Sequence, residues 1–114
     1  MSMQYLHNPR CSKSRQGLAL LQENGVSPQV VEYLKTPLSL AELETLASRL
    51  GVDDVRQMMR VKEAEYKDNQ LKDANQAELL QAMANFPKLI ERPVLINGDK
   101  AIIGRPPEQL LEIV

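Results

Sequence analysis

The 114 residues contain one cysteine, one histidine, one phenylalanine and no tryptophan. A single cysteine makes no internal disulfide, so a reducing, cytoplasmic setting is expected. One Cys and one His cannot supply the ligand set of a structural zinc site, so no metal is expected. Net charge is −1, and no overall positive field draws the chain to nucleic acid or an anionic membrane; neither is expected as a partner. Long apolar runs are missing as well. Nothing approaches a membrane span, and the opening MSMQYLHNPR holds no stretch of signal-peptide length. No internal repeat or low-complexity segment stands out.

What remains has the balance of an ordinary globular protein, 43% hydrophobic and 25% charged, and residues 1–114 form one domain. Met3 to Leu6 reads as a strand ending at the Asn8-Pro9 turn. A helix follows, capped by Ser12 or Ser14, with Leu18, Ala19, Leu20 and Leu21 as a wide apolar face and a stop at Asn24-Gly25. Gln29 to Leu34 is a second strand, closed by Thr36-Pro37. Together these make a βαβ unit.

The middle, about residues 38–88, is a helical insert. Ser39 and Glu42 form a capping box, and Leu40, Leu43, Leu46, Ala47 and Leu50 keep helical spacing up to Gly51. Asp54 to Met59 is a short segment, and residues 61–75 are too polar to assign. Asn75 to Phe86 is another helix, with Leu79, Leu80, Met83 and Phe86 on one face. Then the period changes. Val94 to Asn97 and Ala101 to Gly104 are strands around a tight Gly98-Asp99 hairpin, and Pro106-Pro107 opens a last helix through Leu110, Leu111 and Ile113. The order β-α-β, helical insert, β-β-α describes an α/β thioredoxin-like fold with a mixed four-stranded sheet.

That order places Cys11, within HNPRCSKSR, at the N-terminus of the first helix. Unpaired N–H groups and the helix dipole there favour thiolate over thiol and make an anion site. Arg10, Lys13 and Arg15 add charge nearby. The fourth position of a Cys-x-x-Cys pair is Ser14, so Cys11 has no resolving partner in its own chain. A tyrosine-phosphatase loop needs an arginine where this chain has Gly17. Arg92 before Pro93, Arg105 after Gly104, and Arg60 after Met59 could supply oxyanion contacts from elsewhere in the fold. Pro93 opens the third strand, where a cis proline facing the cysteine is expected.

The set resembles glutaredoxin-dependent arsenate reductases. The resemblance rests on His7 to Arg15, on Tyr33 to Pro37, and on Met59-Arg60 with Lys62, Glu63 and Tyr66. Ile90 to Pro93 and Gly104 to Glu108 complete it. The likeness implies that Cys11 is the nucleophile attacking arsenate, with Arg60, Arg92 and Arg105 holding the oxyanion. It implies glutathione as co-substrate, a glutaredoxin as partner and no bound cofactor. His7, Ser14, Arg15 and Pro93 take supporting roles, with His7 tuning the thiolate or pairing with backbone, and Ser14 capping the helix or donating to the sulfur. Two alternatives share the fold: a glutathione-dependent monothiol oxidoreductase with another substrate, and a redox regulator that grips RNA polymerase. Such regulators typically carry Cys-x-x-Cys, which Ser14 denies here.

Overall fold

Tyr5 and Leu95 face one another across an antiparallel strand pair at the centre of the sheet. The computed structural model describes residues 3–114; Met1 and Ser2, the first residues of the expected domain, lie outside it. Strand β1 (Met3–Leu6) pairs in parallel with β2 (Gln29–Val31) and antiparallel with β3 (Val94–Asn97), and β4 (Lys100–Ile103) extends the sheet beyond β3. The order β2-β1-β3-β4 is the expected mixed four-stranded sheet. Helix α1 (Ser12–Glu23) connects the parallel strands, as parallel pairing requires a crossover. The β3–β4 hairpin turns through Gly98, whose φ of 63° is free of penalty only without a Cβ.

Contacts divide the chain into two units, Met1–Thr36 with Arg92–Val114, and Pro37–Glu91. In the first unit, Tyr5, Leu21, Leu95 and Leu110 form the buried core, with Leu18, Ile102 and Leu111 packed around them. The buried stripe of α1 is Ser14, Gly17 and Leu21, while Ala19 is exposed and Leu18 and Leu20 are half-buried. The apolar face expected from Leu18 to Leu21 is therefore narrower and rotated. Gly17 explains the rotation. A Cβ there would collide with the Tyr5 hydroxyl and come within 2.8 Å of Leu110 Cδ1 and 3.2 Å of Pro93 Cγ. Only glycine lets these groups close on the helix.

Three further expectations are corrected in this unit. Strand β2 ends at Val31, because the amides of Lys35 and Thr36 both return to the Glu32 carbonyl and turn the chain. Neither Ser12 nor Ser14 caps α1; Cys11 is the N-cap residue. The C-terminal helix is 3-10 over Pro107–Ile113, a tighter winding that starts on proline.

The second unit is helical. Helix α2 (Leu40–Leu50) carries the expected capping box: the Glu42 amide donates to Ser39 Oγ at 3.1 Å, and the Ser39 amide donates to Glu42 Oε1 at 2.9 Å. Residues Val55–Met58 form a 3-10 turn. The segment left unassigned contains α3 (Ala64–Asp68) and a 3-10 turn at Leu71–Asp73. Arg56 holds it together. Its Nε donates to the Tyr66 hydroxyl at 3.1 Å, and Nη2 donates to the carbonyls of Leu71, Lys72 and Ala74 at 3.0, 2.9 and 2.8 Å. Helix α4 (Gln76–Asn85) starts on an Asn75–Glu78 capping box and buries Leu79, Ala82 and Met83. Phe86, expected on that buried face, is exposed beyond the end of the helix. Among the described residues, no helix is long and apolar enough to cross a membrane.

Candidate active site

The site grows from the turn between β1 and α1. The Cys11 amide donates to the Asn8 carbonyl at 3.0 Å, and the Arg10 amide donates to Asn8 Oδ1 at 3.1 Å. Pro9 and Arg10 are thus the corner, where a fixed φ and a missing donor suit proline. The Arg15 amide then donates to the Cys11 carbonyl at 3.0 Å, closing the first helical turn. Cys11 is left as the half-buried N-cap of α1.

Its thiol makes no capping hydrogen bond, yet the surroundings favour the anion. Burial pushes the Cys11 pKa up, but the Ser14 amide, the Arg92 guanidinium and the Lys13 amide together bring it below its ordinary value. Arg92 acts both as a hydrogen-bond donor and as a positive charge. The charge that reaches the sulfur therefore comes from the segment before β3, and the basic neighbours in sequence play other parts. Arg15 Nη1 donates to the Pro9 carbonyl at 2.9 Å and braces the turn. Arg10 and Lys13 are exposed.

Ser14 is wholly buried, and each of its polar groups has a task. Its hydroxyl accepts from the Asn8 amide at 2.9 Å and meets His7 Nδ1 at 2.7 Å. Its carbonyl accepts from the Tyr5 hydroxyl at 2.6 Å. The hydroxyl has a second lone pair besides the one that accepts from Asn8, so either Ser14 Oγ or His7 Nδ1 can carry the proton between them, and Nε2 is the ring nitrogen outside this bond. Burial and Arg15 keep the His7 pKa low against the opposing pull of Glu32, so the imidazole is neutral near pH 7. The hydroxyl of Ser14 is thus occupied away from the sulfur; its amide is the group that faces Cys11. His7 works through Ser14. Tyr5 is the residue that sequence reasoning missed, since a tyrosine in a strand looks like core until its hydroxyl is traced.

The Arg92-Pro93 bond is cis, as expected, and Arg105-Pro106 is cis as well. Pro93 is buried, and its carbonyl accepts from the Gly104 amide at 2.8 Å. Arg105 Nε donates to the Arg92 carbonyl at 2.9 Å, joining the two arginine segments. Cys11, Arg92, Arg105, Pro93, His7, Ser14 and Arg15 all lie in the first unit. Arg60 lies in the second, where its amide donates to the Leu89 carbonyl at 2.7 Å and its guanidinium pairs with Glu63 at 2.6 Å.

The chain as a whole is similar to several known proteins. The arsenate reductase of Haemophilus influenzae is 53% identical over an alignment of 116 residues that spans 100% of both chains. An uncharacterized protein of Escherichia coli, YfgD, is 56% identical over 95% of this chain and 92% of its own. The solved structure of an arsenate reductase from Vibrio cholerae superimposes with a TM-score of 0.97 at 51% identity, covering 100% of this chain and 98% of that one. The ArsC family model matches residues 6–113, and the chain belongs to the ArsC family.

Proposed function

We propose that the protein reduces arsenate to arsenite in the cytoplasm, with glutathione as thiol co-substrate and a glutaredoxin as the partner that regenerates it. The observation that carries this reading is the Cys11 sulfur, an N-cap thiol of lowered pKa faced by the Ser14 amide and the Arg92 guanidinium. Nucleophile and anion receptor coincide there. The named arsenate reductases of Haemophilus influenzae and Vibrio cholerae support the choice of oxyanion.

Cys11 attacks the arsenic of bound arsenate, an S–As bond forms, and one oxygen leaves as water. Arg92, Arg105 and Arg60 are the oxyanion ligands of this scheme, since a planar guanidinium fits a tetrahedral oxyanion in bidentate fashion. Glutathione then brings the second sulfur. Arsenic gains two electrons, one from each sulfur, and the sulfurs join. One Cys11 thiol, one glutathione and one arsenate yield one Cys11–glutathione disulfide, one arsenite and one water. With Ser14 in the position of a resolving cysteine, that disulfide must be opened from outside, and a glutaredoxin takes the glutathionyl group by thiol–disulfide exchange. No cofactor takes part. Tyr5, His7 and Ser14 hold the thiolate's donors in place, while Arg15 and Pro93 hold the two loops that meet at the sulfur.

The test is turnover by the purified protein with arsenate, glutathione and a glutaredoxin. Arsenite should form in the parent and not in Cys11→Ser. Turnover of a mixed disulfide with no dependence on arsenate would make the protein a thiol transferase of another substrate.

A further inference from the structure

We propose that the cavity of about 240 Å³ beside the β1–α1 turn, lined by His7, Asn8, Arg10, Glu32, Leu34 and Lys35, seats the amino-acid ends of glutathione. This placement rests on the glutathione-dependent reading above. Cys11 does not line the cavity, but Arg10 does, and consecutive Cα atoms are only about 3.8 Å apart. A tripeptide spans roughly 10 Å when extended. One anchored here keeps its central thiol within reach of the sulfur next along the chain.

Three features fit the ligand. Arg10 and Lys35 offer two positive charges, and Glu32 offers one negative charge, against the two carboxylates and one ammonium of glutathione. Glu32 and Lys35 currently satisfy one another at 3.5 Å, with side chains 40% and 78% exposed, so the pair opens to a ligand at little cost. His7 is 8% exposed and lines the cavity, and Ser14 occupies its Nδ1. Nε2 is the ring nitrogen left for the ligand, a donor to a carboxylate or carbonyl in one tautomer and an acceptor from the ammonium or an amide in the other. No other role in the reaction uses these groups on Glu32 or Lys35.

S-methylglutathione, which cannot react, is the probe. Titrated into the isotopically labelled full chain, it should shift the amide resonances of His7, Asn8, Arg10, Leu34 and Lys35. Lys35→Glu should weaken its binding about tenfold or more, the effect of losing a charge-assisted contact, and Glu32→Gln should weaken it less. In both variants, resonances remote from the cavity should stay at the parent's positions, which shows that the fold is retained. Resonance shifts centred elsewhere, or an unchanged affinity in Lys35→Glu, would overturn the placement even if the parent reduces arsenate with glutathione. Binding here without arsenate turnover would leave the placement standing and remove the arsenate reading instead.

Discussion

The Tyr5 hydroxyl, at the end of a fully buried ring, donates to the carbonyl of Ser14 at 2.6 Å. Through that bond, the central strand of the sheet holds Ser14, the residue whose amide faces the Cys11 sulfur. Burial, more than any other influence, holds the Tyr5 pKa far above that of an ordinary phenol, so the hydroxyl remains a donor at any working pH.

Gly17 is the space this contact needs, and Gly17→Ala should show it. A methyl group gives α1 about 1 kcal/mol of helix propensity, but it drives into the Tyr5 hydroxyl and Leu110. Overpacking costs about 1–3 kcal/mol, so the variant should be destabilised in urea unfolding despite the better helix former. Tyr5→Phe should lose about 1 kcal/mol, the net worth of one buried hydrogen bond, and should raise the pH midpoint of Cys11 alkylation. A stabilised Gly17→Ala protein would show that the approach of Tyr5 and Leu110 to α1 is looser than described.

Alkylation of Cys11 by a neutral reagent should have its pH midpoint below the roughly 8.5 of a free thiol. Arg92→Ala should move that midpoint up, and Arg92→Lys should move it less, because lysine keeps the charge and loses the fork. The linkage follows in sign. The thiol's pKa is lower in the folded state, so its contribution to stability is present above the unfolded value and is lost as pH falls through the folded one. A midpoint at or above 8.5 would make Cys11 an inert cysteine.

His7 gives the acid side of the profile. Its folded pKa is lowered, chiefly by burial, so the unfolded chain takes up a proton first as pH drops. Stability should therefore decline progressively from about pH 6.5 through the lowered value, and His7→Gln should remove that part of the decline. Urea unfolding of parent and variant at a series of pH values between 5 and 8 reads the difference. Parallel curves would mean that His7 does not titrate differently in the two states.

Much of this was legible before the fold was known, and the misses share a cause. Hydrophobic period located β1, β3 and the core helices, and the capping boxes at Ser39 and Asn75 marked where two helices begin. The Cys11 position followed from strand-turn-helix order. Patterns of apolar residues could not show that α1 turns Ser14 and Gly17 inward, because both are small and their burial comes from contacts with Tyr5, His7 and Pro93. Nor could they order residues 61–75, whose organiser is the Arg56 guanidinium reaching the carbonyls of Leu71, Lys72 and Ala74. Charge near Cys11 in sequence pointed to Arg10, Lys13 and Arg15, but the guanidinium acting on the sulfur is Arg92's. Local sequence reports local structure; donors brought from another strand are a property of the fold.

Arg60, Arg92 and Arg105 should each matter for the oxyanion more than for the thiol's encounter with neutral reagents. Alanine at any of the three removes a charge-assisted contact, about 1.5–3 kcal/mol, or roughly ten- to a hundredfold in kcat/KM for arsenate. Sulfate or phosphate should slow alkylation of Cys11 in the parent and fail to do so in the alanine variants. Steady-state kinetics and protection assays check both halves. If an arginine variant reduces arsenate as well as the parent, that residue is not an oxyanion ligand.

The most direct test of the central claim omits the glutaredoxin. Parent protein is mixed with arsenate and glutathione, quenched by acid, and examined by intact mass and peptide mapping while arsenite is counted. The account predicts one glutathionyl group on Cys11 for each arsenite formed, and neither product when arsenate is left out. Arsenite without the Cys11 adduct, or an adduct that forms equally without arsenate, would contradict it.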